Sequence, residues 1–179
     1  MEFGNRIVKY APEYSVCTGC KSCEIVCSML HDGVVSPERT RIRFVMGDLD
    51  YMMHDIRVCQ QCVDHPCYDA CPKKDAAMCI DERGVVYVNR EECIGCKKCE
   101  KACIFEEPRV RVIKRDGKRF AVKCDLCRDF GGVPQCVKNC PAACLGLSAD
   151  SLPDLSRPIN AVEVAHSDSV FTSNALMEA

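Results

Sequence analysis

Sixteen of the eighteen cysteines in this 179-residue chain fall into four runs of four, and each run closes on a C-x3-C step. The runs are Cys17, Cys20, Cys23, Cys27; Cys59, Cys62, Cys67, Cys71; Cys93, Cys96, Cys99, Cys103; and Cys124, Cys127, Cys136, Cys140. The first and third read C-x2-C-x2-C-x3-C. The second is stretched to x2-x4-x3 and the fourth to x2-x8-x3. Both stretched runs end in Cys-Pro, at Cys71-Pro72 and Cys140-Pro141, whereas Ser28 and Ile104 follow the tight ones. The alternation of tight and stretched runs reads as a duplicated unit. With cysteine at this density the scaffold is held at its thiols rather than by a large apolar core.

The opening stretch, MEFGNRIVKYAPEY, has neither the apolar centre of a secretory signal nor a twin arginine. No stretch of the sequence reaches the length of a membrane span. Thiols in this number, without a signal, are expected to be metal ligands in a reducing, cytoplasmic setting rather than disulfides. Export bound to a signal-bearing partner is the exception. Lys and Arg number 24 against 26 Asp and Glu, a formal charge of −2. The basic residues come with no nucleic-acid motif, so nucleic acid is not an expected partner.

A tight run suits a cubane. Two intervening residues let the backbone curl around one face of a four-iron cluster, so three thiolates of one run bind it, as in bacterial ferredoxins. The fourth thiolate must reach in from another run. Loop amides aimed at the sulfurs favour the reduced state, and Gly19 and Gly95 allow the close approach. The Pro after a fourth cysteine turns the chain away. Zinc ribbons pair C-x2-C steps and need no third cysteine two residues on, so zinc is the weaker reading. Four runs supply ligands for four [4Fe–4S] clusters. Cys79 and Cys144 fall outside the runs and read as small buried hydrophobes, with a spare ligand as the alternative. His65, inside the second run, reads as loop packing or as a hydrogen-bond donor to a cluster. No nucleophile elbow, phosphate loop, dinucleotide fingerprint or zinc-protease motif is present, so no catalytic site is expected.

Between the runs, Arg41 to Phe44 alternates as a half-buried strand, and Gly84 to Val88 is a second strand after a turn at Asp81–Gly84. Arg109 to Ile113 and Lys118 to Val122 flank Asp116-Gly117, a strong hairpin signal. Helices are expected over Lys21 to Leu30 and Lys97 to Cys103. From Ser148 onward cysteine is absent and Ser, Asp and Asn are frequent. That segment, 148–179, reads either as an extended tail laid on a partner or as a disordered end.

Cys17 to Pro141 resembles the four-cluster, ferredoxin-like electron-transfer subunits of molybdenum and tungsten oxidoreductases. The resemblance rests on CTGCKSCEIVC (17–27), CQQCVDHPCYDACP (59–72), CIGCKKCEKAC (93–103) and CDLCRDFGGVPQCVKNCP (124–141), above all on the two stretched spacings. Spacing alone leaves two pairings open, neighbour with neighbour or outer with outer. The resemblance implies the nested one, in an α+β fold of two bacterial-ferredoxin-like modules. Residues 1–147 would form this double domain, with an outer module of 17–27 plus 124–140 around an inner module of 59–103.

On the same resemblance, Cys17, Cys20, Cys23 and Cys140 would hold cluster one, and Cys27, Cys124, Cys127 and Cys136 cluster two. Cys59, Cys62, Cys67 and Cys103 would hold cluster three, and Cys71, Cys93, Cys96 and Cys99 cluster four. The stretch from Cys17 to Phe44 is most similar to small subunits of bacterial tungsten aldehyde oxidoreductases. This implies a large tungsten- or molybdenum-cofactor subunit as one partner and a flavin-containing, NAD-reducing subunit as the other. The alternatives are a free polyferredoxin, or the iron–sulfur subunit of a formate dehydrogenase, a carbon monoxide dehydrogenase or hydrogenase, or a benzoyl-CoA reductase complex.

Overall fold

The computed structural model describes residues 2–11, 15–47 and 54–148. Eight short strands and four helices make an α+β fold: β1 (Ile7–Lys9), α1 (Ser22–Asp32), β2 (Ile42–Val45), β3 (Asp55–Val58), α2 (Pro66–Asp69), β4 (Met78–Ile80), β5 (Val86–Val88), α3 (Lys98–Lys101), β6 (Arg111–Arg115), β7 (Lys118–Val122), α4 (Gln135–Lys138) and β8 (Leu145–Leu147). The strands form four antiparallel pairs, β1–β8, β2–β3, β4–β5 and β6–β7.

Local sequence explains three of these pairs. β6 and β7 meet across Asp116 and Gly117, both left-handed at φ 48° and 80°, the conformation that an Asp-Gly hairpin turn requires. The expected strand over 109–113 begins at Arg111 and runs on to Arg115. β4 and β5 join through a turn in which the Gly84 amide donates to the Asp81 carbonyl at 2.9 Å. β2 and β3 place Ile42 opposite Val58, both almost fully buried, and burying such a pair stabilises the fold by roughly 1.5–3 kcal/mol per side chain.

The fourth pair, β1–β8, could not be read locally, because Ile7–Lys9 finds its partner at Leu145–Leu147. The Ser148 amide extends that ladder to the Arg6 carbonyl at 2.8 Å. Beyond Ser148, the expectation for the tail falls outside the described residues.

Two apolar clusters form the interior, and cysteines are members of both. One gathers Ile7, Ile42, Val58, Leu126 and Leu145 around six buried cysteines. The other gathers Met78, Val86, Val110 and Ala121 around Cys99. Helix α1 packs on α4 and β2, and α2 packs on α3. Only α1 is long; it runs two residues past the expected Leu30 and stops at left-handed Gly33, whose amide donates to the Met29 carbonyl. The expected helix over 97–103 is a single turn, Lys98–Lys101. Two further single turns, α2 and α4, lie inside the stretched runs, where the sequence reading named no helix.

Asp32, at the end of α1, ties distant segments together. Its side chain is fully buried, and it takes Arg41 at 2.5 Å, Arg90 at 2.8 Å and Arg115 at 3.3 Å. Arg41, expected on the polar face of its strand, is buried because this carboxylate holds it. Three arginines, one just before β2, one after β5 and one in β6, thus converge on one charge.

Candidate metal centres

Each run curls by the same device. The residue before the second cysteine is left-handed in all four: Gly19 (φ 69°), Gln61 (φ 47°), Gly95 (φ 63°) and Leu126 (φ 54°). Glycine adopts this conformation freely, whereas in Gln61 and Leu126 it costs about 1–2 kcal/mol each. Both are buried and fixed by their surroundings. Gln61 donates to the Cys124 carbonyl at 2.9 Å and accepts from the Val86 amide at 3.2 Å. In the tight runs Lys21 and Lys97 are also left-handed, and a helix starts at the next residue. Gly95 has a second reason to lack a side chain: a Cβ there would lie 2.6 Å from the Arg119 carbonyl oxygen.

The curled runs bring thiols from distant segments together. Three small cavities of equal size, about 20 Å³ each, are lined by cysteines. One takes Cys17, Cys20 and Cys23 from the first run and Cys140 from the fourth, with Cys144 beside them. Another takes Cys59, Cys62 and Cys67 from the second run and Cys103 from the third. The next takes Cys93, Cys96 and Cys99 from the third run and Cys71 from the second. The remaining four, Cys27, Cys124, Cys127 and Cys136, are all buried. They lie close to one another: burial first, then the neighbouring Cys124, Cys27 and Cys127, push the Cys136 thiol well up. We number these groups quartets one, three, four and two respectively. All eighteen cysteines are free thiols.

Backbone amides point at the sulfurs from inside and outside the runs. The Arg41 amide donates to Cys27 Sγ at 3.2 Å, Arg109 to Cys103 Sγ at 3.3 Å and Ala121 to Cys93 Sγ at 3.3 Å. Within the tight runs, the Glu24 and Glu100 amides lie on Cys23 and Cys99. Burial still raises these two thiols to about 12 and Cys127 to about 11. Thiols held in this state become ligands only when a metal displaces their protons. At quartet three, His65 Nδ1 and Arg109 Nε are buried with no hydrogen-bond partner. Four soft thiols around a void, with backbone amides donating to the sulfurs, fit an iron–sulfur cluster.

The two cysteines outside the runs differ. Cys79 is buried and donates to the Asp75 carbonyl at 3.3 Å, as a packed thiol does. Cys144 is buried too, but its sulfur lies 3.4 Å from Cys140 Sγ. That contact holds the Cys140 thiol down at about 6 and raises Cys144. His31, given no role by its sequence spacing, sits with Nε2 3.8 Å from Cys127 Sγ and 3.8 Å from Asp125.

The sequence model of the 4Fe-4S dicluster domain matches residues 50–150, which hold the second, third and fourth runs. The polyferredoxin-like subunit of the aliphatic sulfonate oxidoreductase of Pyrococcus furiosus is 42% identical over 128 residues, covering 71% of this chain and 68% of that protein. The putative electron transport protein YsaA of Escherichia coli is 35% identical over 136 residues, covering 72% of this chain and 82% of that protein. The electron transport protein HydN of Escherichia coli is 35% identical over 149 residues, covering 73% and 82%.

Proposed function

The chain belongs to the 4Fe-4S dicluster domain family, and from that membership we propose that it relays single electrons through four [4Fe–4S] clusters between two redox partners. It is an iron–sulfur electron-transfer protein with a ferredoxin-like α+β fold. Each bound cluster supplies one reversible one-electron step. The chain's own residues hold the cluster, keep water away from it and set its potential through amide donors and nearby charge.

One observation supports these ligand sets: each of three cysteine-lined cavities draws three thiols from one run and the fourth from another, and the four buried cysteines left over make a fourth set. The sets are those of the nested arrangement. Cluster one takes Cys17, Cys20, Cys23 and Cys140, and cluster two Cys27, Cys124, Cys127 and Cys136. Cluster three takes Cys59, Cys62, Cys67 and Cys103, and cluster four Cys71, Cys93, Cys96 and Cys99. The packing of α1 on α4 and of α2 on α3, with β1 paired to β8, supports an inner module inserted into an outer one.

The partner reading is finer. One relative is named as a subunit of an oxidoreductase, which supports a permanent place beside a catalytic subunit. We assign that subunit a tungsten or molybdenum cofactor, with aldehyde oxidation as its reaction and a flavin-containing, NAD-reducing subunit as the acceptor. The assignment rests on the similarity over Cys17 to Phe44. The names of YsaA and HydN, electron transport proteins rather than subunits, favour the second reading, a free carrier. Among the described residues no helix is long and apolar enough to cross a membrane, and we place the complex in the cytoplasm.

Anaerobic purification from the native host, with iron, tungsten and molybdenum analysis, tests these readings together. About sixteen irons per chain are expected, with a tungsten-bearing large subunit. The same iron with no large partner leaves the free carrier, and zinc in place of iron overturns the assignment. Aldehyde-dependent NAD reduction that survives omission of this chain overturns the aldehyde oxidoreductase partnership.

A further inference from the structure

Quartet three differs from the others in the charge placed against it. Its cavity is lined, beside its four cysteines, by His65, Arg109 and Lys123, and by no acidic residue. Lys123 is 4% exposed. Its ammonium donates to the Gln61 side-chain oxygen at 3.2 Å and to the Val86 carbonyl. Among the described residues no carboxylate pairs with it. Arg109 adds a second cation, two of whose guanidinium nitrogens, Nε and one terminal nitrogen, are buried without a partner. At quartet four the lining cations are Lys73, 38% exposed and already paired with Glu92 at 2.5 Å, and the exposed Lys97. At quartet one the lining cation is the exposed Lys21.

A buried cation without a counter-charge is costly. The negative charge that balances Lys123 is therefore that of the thiolates of quartet three and of whatever they hold, and the half-buried Arg109 adds its charge at the same cavity. An added electron makes that group more negative, and fixed cations beside it stabilise the added charge. We propose that Lys123 and Arg109 make quartet three the electron sink of the chain, giving its cluster the most positive midpoint of the four. Both act as positioning charges, not as ligands. The proposal rests on the assignment of a cluster to quartet three.

Lys123 also stands at the joint of the two halves. It precedes Cys124 of quartet two, and its acceptor Gln61 binds the Cys124 carbonyl. Its side chain, however, reaches into the cavity of quartet three, so that cluster feels it most.

The test is an EPR-monitored redox titration of the holo protein, with iron counted in every sample and Cys62→Ser used to identify the component of quartet three. Lys123→Met is expected to lower the most positive midpoint, so that the reduced-to-oxidised ratio at the wild-type midpoint falls about tenfold, ~59 mV for one electron. The other midpoints stay within about twofold in the same ratio. Lys123→Arg keeps the wild-type value. Arg109→Met lowers the same component and decides the matter if Lys123→Met loses iron.

Full iron with unmoved midpoints in both neutral variants, or a shift confined to another component, overturns the sink. So does a wild-type protein in which the component perturbed by Cys62→Ser is not the most positive. A wild-type protein short of four clusters, or Cys62→Ser with no spectral change, instead overturns the underlying ligand assignment.

Discussion

The two tight runs and the two stretched runs build the same curl and leave it in opposite surroundings. In the tight runs the second cysteine, Cys20 or Cys96, is exposed at a loop tip. In the stretched runs the added residues fold back: Pro66–Asp69 makes one helical turn, and Arg128–Phe130 and Gln135–Lys138 make two. Cys62 is then half-buried and Cys127 buried. Quartets one and four therefore each hold one exposed and two half-buried cysteines, while all four cysteines of quartet two are buried. The difference teaches that insertion length, rather than the C-x2-C step itself, decides how far a site lies from water.

Replacing Cys136 against replacing Cys20 breaks that comparison most sharply. Cys136→Ser puts a hydroxyl into a fully buried site and is expected to cost more than the local cluster. Iron should fall by more than about four per chain, with soluble yield lost as folding fails. Cys20→Ser, at the surface, should lose or alter one cluster and keep the fold. Equal iron loss in the two proteins would erase the distinction.

Asp32→Ala comes next, because it removes the carboxylate that joins three arginines and leaves Arg41 buried without its counter-charge, with the Arg39 carbonyl as a remaining acceptor. The expected destabilisation is about 3–5 kcal/mol, read as a fall in the thermal unfolding midpoint of the holo protein. Arg41 also donates its amide to Cys27, so quartet two should bleach first on heating. A second variant pair contrasts the two tight runs. Gly95→Ala drives a Cβ into the Arg119 backbone at 2.6 Å, whereas Gly19→Ala meets the Phe44 ring at 3.2 Å, where a side chain can move. Both carry about 1–2 kcal/mol of left-handed strain, and Gly95→Ala should show the larger loss in denaturant titration.

The smallest effect is at Glu24, whose carboxylate accepts from the Phe44 amide at 2.9 Å and fastens β2 to α1. Glu24→Ala should cost about 1 kcal/mol and Glu24→Gln less, measured as a shift in unfolding midpoint with iron content unchanged.

The sequence was legible wherever one short segment decides its own shape. The Asp116-Gly117 hairpin, the Asp81–Gly84 turn and the helix starts after Lys21 and Lys97 follow from residues within reach of one another. Gly19 and Gly95 were legible as places of close approach, and their left-handed conformation emerged only with the structure. Gln61 and Leu126 were not, because nothing in their side chains announces a conformation that the surrounding packing imposes. Arg41 was read as a surface residue of an alternating strand, since its partner Asp32 is found only once α1 and β2 meet. The role of Lys123 was invisible for a like reason: in the chain it is one basic residue among 24, and only the fold strips it of carboxylate partners.

The pairing of β1 with β8, and of the first run's thiols with Cys140, has a consequence for how the protein is made. A chain that leaves the ribosome N-terminus first presents Cys17, Cys20 and Cys23 long before the residue that closes their site exists. At roughly 5–20 residues per second the interval is on the order of ten seconds. The second and third runs are completed within it, and α2 can pack on α3 while the fourth run is still being synthesised. Cluster insertion during translation should therefore proceed from the interior of the sequence outward. A nascent chain arrested once Lys123 has emerged would hold the whole lining of the inner pair of cavities and leave the first run open.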